Sequence, residues 1–324
     1  MKKVIFSLAT LLNATFIIAQ SNSSTVIQES SSSSINITQV GSGNSSDSFQ
    51  VGRSNQAIII QGSDTHSSIN GTVTQRQVDV MNDVFAQQEQ QGNTISQIQE
   101  GRNNVASVTQ NLDSSGGSNI AIQEQESSEF GGASAISIQN GSDNISRSIQ
   151  SDSRRSKVTI EQAGVRNLSE QLQAGTVNLG NQAKGIQFGS DNVLLQTQDG
   201  QFNDAISNQG NSLLGINGST VRQEQIGEFN SASAEQLSDN TSDMDTNIIV
   251  QKQNGYGNMA VSIQNGTENS IDIIQDGMDN SAEVTQFGSK SSATINQKGD
   301  NHSSVIHQEF GFKSTVIINQ SGGF

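Results

Sequence analysis

Residues Asn269-Ser-Ile-Asp-Ile-Ile-Gln275-Asp-Gly277-Met-Asp-Asn280-Ser-Ala-Glu-Val-Thr-Gln286-Phe-Gly288 hold one short phrase twice. Each copy is Asn-x5-Gln followed by x-Gly-x-x, eleven residues in all. Within 280–286, Asn280, Ala282, Val284 and Gln286 fall on one side of an extended chain, and Ser281, Glu283 and Thr285 on the other. That alternation is the period of a strand with one buried face. The arc behind it carries Gly and Asn, residues that suit a chain reversal because they tolerate the left-handed region. A helix does not fit, since Gly and β-branched residues recur too often and no 3.6-residue period is present.

Outward from this stretch the phrase continues in both directions. Gln253, Gln264, Gln275, Gln286, Gln297 and Gln308 are spaced by eleven, with Gly255, Gly266, Gly277, Gly288 and Gly299 two residues behind the first five and Asn258, Asn269 and Asn280 on the same step. Gln28, Gln39, Gln50 and Gln61 repeat the spacing near the N-terminus, and Gln77, Gln88, Gln99 and Gln110 follow. Gly41, Gly52 and Gly101 occupy the same arc place there. Through Gln125, Gln139, Gln150, Gln162, Gln173, Gln187, Gln198, Gln209, Gln225, Gln236 and finally Gln320 the chain has 25 such slots, and 15 of them carry Gly two residues later, against about 2.4 expected from composition. Longer intervals, such as Gln61 to Gln77 and Gln236 to Gln253, read as arc insertions that bulge outward.

The true period is twice eleven. A further Gln two residues before the slot, as at Gln75, Gln97, Gln123, Gln171, Gln196, Gln223 and Gln251, belongs only to odd-numbered slots. Ala four residues before it, as at Ala57, Ala106, Ala135, Ala183, Ala205, Ala232, Ala260 and Ala282, belongs mainly to even ones. Two kinds of strand therefore alternate, and a fixed unit of about 22 residues signals a solenoid. The expected fold is all-β: a two-strand-per-coil β-solenoid of about 12 to 13 coils, with a seven-residue strand and a four-residue arc in each half-coil.

Composition explains why such a fold needs an unusual interior. Ser, Gln, Asn and Gly supply 154 of 324 residues and only 31% are hydrophobic, well short of the roughly 45–50% of an ordinary globular domain. Stacked coils solve this: each Gln lies over its counterpart and its amide can donate to one neighbour while accepting from the other. Gln39, Gln50, Gln99, Gln110, Gln253, Gln264, Gln275, Gln286, Gln297, Gln308 and Gln320, with Asn258, Asn269 and Asn280, are the expected ladder residues.

Residues 1–20 read as a secretory signal peptide, with Lys2 and Lys3 before an apolar run from Val4 to Ile18 and Ala19 at the cleavage region. The solenoid domain is then expected over 21–324, with no capping sequence at either end. With no Cys there is no disulfide scaffold and no thiolate chemistry. The net charge of −15 and the scattered basic residues argue against nucleic acid. The apolar run is too short to span a bilayer, so no membrane insertion is expected.

The repeats resemble those of the curlin family, the subunits of curli amyloid fibres. The resemblance rests on Ser33-x5-Gln39-x-Gly41-x-Gly43-Asn44, followed by Ser46 and Gln50, and on Asn269-x5-Gln275-x-Gly277-x-x-Asn280-x-Ala282-x3-Gln286. It implies a secreted, amyloid-like structural protein that polymerises with itself into a cell-surface, pilus-like fibre for biofilm and adhesion. Its implied partners are a nucleator subunit and an outer-membrane export pore. The regular C-terminal repeats point to the major subunit; a nucleating subunit and a monomeric adhesin or ice-binding solenoid are the alternative readings.

No catalytic, metal or cofactor site is expected. His307 falls on an outward position, His302 takes the place of the arc Asn, and the arc residues Asp143, Asp191, Asp279 and Asp300 lack the Gly-Gly-x-Gly-x-Asp repeat of calcium-binding β-rolls. No Gly-rich loop joins a strand to a helix in the manner of a phosphate site.

Overall fold

The eleven-residue phrase becomes one side of a flattened coil. A computed structural model describes residues 21–111, 116–127, 131–211, 215–237 and 246–322; the expected signal peptide lies outside them. With each strand numbered by the Gln slot it carries, the odd-numbered strands form a thirteen-stranded sheet running from Ser23–Ser31 to Thr315–Gly322. Even-numbered strands form the facing sheet from Ser34–Gln39 to Ser303–Phe312, with the short strand Ile216–Asn217 beside Gln182–Ser190 off its path. All pairings are parallel and each strand pairs with the next of its own kind, so the chain winds as a β-solenoid of about 12 turns.

Register is held by the slots. Gln28 sits beside Gln50, Gln50 beside Gln77, Gln253 beside Gln275 and Gln297 beside Gln320, and the long interval from Gln61 to Gln77 leaves this pairing intact. In that insertion the arcs themselves pair: Gly41–Ser42, Ser68–Ile69 and Gln90–Gln91 make a third, three-stranded sheet. A one-residue slip would turn every inward side chain outward, so the buried face fixes the pairing.

Inside, the alternation is as clean as the sequence pattern. Asn280, Ala282, Val284 and Gln286 are all at most 1% exposed, whereas Glu283 faces solvent. Large and small residues share the narrow interior: Ile271, Ile273 and Ile295 pack with Ala260, Ala282 and Ala293 in one cluster, and Ile59 and Ile95 with Ala86 and Ala121 in another. Each fully buried Ile contributes about 1.5–3 kcal/mol, but the apolar clusters are interrupted, and buried amides fill the intervals.

The strands are longer than the seven residues expected. Ser270–Met278 and Ser281–Ser289 run nine residues, past Gln and through the arc Gly, because successive arcs continue the ladder: Gly255 pairs with Gly277 and Gly266 with Gly288. The left-handed residue is also displaced. It is not the Asn but the residue before it, as in Glu268, Asp279 and Asn301 with φ of 56°, 53° and 59°. That frees the Asn to point inward. At Gly266 φ is +117° and a Cβ would lie 2.0 Å from the carbonyl oxygen of Gly288. Gly266→Ala is therefore expected to cost at least the roughly 1–3 kcal/mol of a strained backbone, read as a lower denaturation midpoint, while Ser292→Ala on the outer face should leave the midpoint unchanged. Equal midpoints for the two variants would contradict the arc geometry.

Candidate functional site: amide ladders and end coils

The Gln at each slot closes its strand on the inner face, where the facing half-coil brings a backbone carbonyl within reach. Gln275 shows the full accounting: its Oε1 accepts from Gln253 Nε2 at 2.9 Å, and its Nε2 donates to Gln297 Oε1 at 2.9 Å and to the Met259 carbonyl at 2.9 Å. With one N–H committed to a carbonyl, the amide cannot turn over, and the ladder acquires a direction. In the odd sheet every link from Gln28 to Gln320 runs Nε2 to the next Oε1 at 2.6–3.3 Å. Gln50 and Gln99 are members of it.

The even sheet keeps the same sense. Gln39 donates to Gln61 at 2.7 Å, and an unbroken run leads from Gln110 through Gln139, Gln162, Gln187, Gln209, Gln236, Gln264 and Gln286 to Gln308. Reversing Gln286 would set its nitrogen 3.1 Å from that of Gln264, which opposes two donors.

The arc Asn joins the coils a second time. Asn280 donates from its backbone and its Nδ2 to Asn258 Oδ1 at 3.2 and 3.0 Å, and from Nδ2 to the Gly299 carbonyl at 2.7 Å. Asn258 reaches the Gly277 carbonyl and Asn269 that of Gly288, each at 2.9 Å. The positive φ of the arc Gly thus turns a carbonyl to meet the amide of the preceding coil. His302 stands in for Asn, its backbone donating to Asn280 Oδ1 at 3.0 Å and its Nε2 lying 2.9 Å from the Gly322 carbonyl. Of the arc glycines, Gly41, Gly52, Gly255, Gly266, Gly277, Gly288 and Gly299 all have φ between 113° and 139°.

A third amide column is absent from the residues anticipated as ladder members. Gln75, Gln97 and Gln123 link at 3.0 Å each, and Gln171, Gln196, Gln223 and Gln251 at 2.5, 2.7 and 2.8 Å. Ser148 interrupts it. Because the column is directed, the first member after each break keeps an unpaired oxygen, Gln75 Oε1 and Gln171 Oε1. The odd-slot Gln two residues before the slot was its signal in the sequence.

Most titratable groups lie toward the surface, but Glu89 is buried, with His66 Nδ1 3.3 Å from its carboxylate. His307 meets Glu309 at 2.8 Å in solvent, and among the described residues no three His, Cys, Asp or Glu gather as a metal site. Asp83, Asp204 and Asp272 stand on outer faces beside neutral neighbours, Asp204 between Gln182 and Ser231. Burial pushes all three carboxyls above their usual range, and Lys252 draws Asp272 partly back. A carboxyl raised in the folded state binds its proton more tightly there, so its destabilising effect is present at neutral pH and disappears as pH falls through the raised value. Asp204→Asn should therefore raise the melting temperature at pH 7 and reduce the gain on acidification to pH 4. An unchanged difference between the two pH values would contradict this.

Parallel two-strand coils, held by directed amide ladders, define the class of the protein as a polar-cored β-solenoid. A family model described as the curlin associated repeat matches residues 263–288 and 289–322, so the C-terminal coils carry curlin-type repeats. No curated protein matches it. Curlin repeats form a structural, non-enzymatic family.

Proposed function

We propose that the chain is a secreted structural subunit that assembles end to end into extracellular amyloid-like fibres of the curli type, as the major subunit, for biofilm matrix and adhesion. The supporting observation is at the end of the even ladder, where Gln308 Nε2 is buried yet unpaired among the described residues. An orphaned buried donor costs about 1–3 kcal/mol, and the Oε1 of a further coil would relieve it. The outermost strands agree with that reading: Val316, Ile318 and Gln320 are only partly buried where their counterparts Ala293, Ile295 and Gln297 are at most 1% exposed. Unpaired strand edges template further strands.

Curlin family members are extracellular fibre subunits, which supports the location; a nucleator subunit and an outer-membrane export pore are the partners that go with this reading. A monomeric adhesin or ice-binding solenoid would need a regular outer array, whereas the outer triplets range from Ser281, Glu283 and Thr285 to Met259, Val261 and Ile263. Incubating residues 21–324, initially soluble, is expected to give unbranched filaments by negative stain together with thioflavin binding. Persistence as a monomer for days at high concentration would overturn the reading.

A further inference from the structure

One outer face is patterned for a second copy of this chain. On the odd sheet, four successive strands, Ile120–Ser127, Ile145–Arg154, Leu168–Leu179 and Val193–Gln201, stack three outward columns. The first is Ile120, Ile145, Leu168 and Val193; the second Ile122, Arg147, Glu170 and Leu195; the third Glu124, Ile149, Leu172 and Thr197. Ile145 is 40% and Leu172 37% exposed. The opposite face at this level is broken by Lys157, Glu161, Lys184 and Asp204, so the apolar field belongs to one side only.

We propose that this face pairs with the same face of another solenoid, antiparallel, about a two-fold axis that lies along the strands between Arg147 and Glu170. The columns are close to palindromic about that line. The axis sets Ile145 against Leu168 of the second copy, Ile149 against Leu172, Ile120 against Val193 and Ile122 against Leu195. It also sets Arg147 against Glu170, and Glu170 against Arg147. Within one chain these two groups are 3.9 Å apart and each 46% exposed, leaving both free to bond across. A two-fold axis along the solenoid would instead oppose Arg147 to Arg147 and Glu170 to Glu170, so charge selects the antiparallel arrangement.

At about 4.8 Å per strand and three columns wide the patch covers roughly 300 Å² per partner. That is below the roughly 800 Å² per partner of a stable complex, so a single pair of molecules is weak. Repetition along a filament makes it strong. The inference therefore rests on the fibre reading, and it assigns to the filament a paired, antiparallel form.

Charge reversal on preformed filaments tests it. In R147E filaments Glu faces Glu across the axis, and in E170R filaments Arg faces Arg; mixing the two restores opposite charges at both contacts. Wild-type filaments are expected to be double, each variant alone to have half the mass per length, and the mixture to recover the double value. Loss of the internal ion pair alone would not respond to mixing. Single wild-type filaments, variants that pair as the wild type does, or a mixture that stays single would overturn the pairing alone. No filaments at all from the wild-type chain would overturn it together with the fibre reading.

Discussion

Replacing Gln264, Gln275 and Gln286 together by Ala is expected to unfold the C-terminal coils and slow filament growth at least tenfold. The three residues are at most 1% exposed and lie in both sheets of adjoining coils. Their removal strands one N–H each of Gln236 and Gln253 and the side-chain oxygens of Gln297 and Gln308, which they pair at 3.1, 2.9, 2.9 and 2.7 Å, and leaves voids where the side chains were. At about 1–3 kcal/mol for each stranded buried group, the sum is of the order of 5 kcal/mol. A repeat array stands on nearest-neighbour contacts, so the loss falls on the coils that feed the proposed end. Ser281, Glu283 and Thr285 face outward on the same strand, and changing all three to Ala should move stability by no more than about 0.5 kcal/mol each. Equal effects on growth and on the denaturation midpoint from the two triple variants would contradict the division into inner and outer faces.

The second large effect is expected at the last odd strand. Thr315–Gly322 pairs with Ser292–Gly299 on one side and borders no further strand on the other among the described residues. Proline at both Val316 and Ile318 removes two backbone donors and fixes φ within a pairing strand. Growth should fall by an order of magnitude or more, while the inner coils keep their β-sheet circular dichroism. The same two changes remove little from the interior, because Val316 and Ile318 only flank the cluster of Ile271, Ile273 and Ile295. Normal growth from the doubly substituted chain would show that the edge of this strand is not where molecules join.

The sequence made the solenoid legible because its interior is periodic at the level of single residues. Gln275 and Gln297 announce stacked strands by their spacing, and the restriction of Gln251 and its equivalents to odd slots announces two kinds of strand. Details of the arc were hidden for a physical reason. A left-handed residue next to Gly266 or Gly277 needs no particular side chain once its neighbours supply the hydrogen bonds, so Glu268 and Asp279 serve equally and leave no pattern. The inward face of Asn280 follows from the strand alternation, but its bond to the Gly299 carbonyl needed the arc geometry, which composition does not carry. The column through Gln171, Gln196 and Gln223 could have been anticipated from the same odd-slot rule that set the period. The opposition of Arg147 to Glu170 needed the register, because 23 residues separate them in the chain.

In the proposed fibre the solenoid axis becomes the fibre axis, with each chain continuing the ladders of the last. X-ray diffraction from aligned filaments of residues 21–324 tests this most directly. Strands stacked along the axis predict a sharp meridional reflection near 4.7–4.8 Å and an equatorial one near 10 Å from the two packed sheets. A 4.7–4.8 Å reflection lying on the equator, with strands running along the filament, would contradict it.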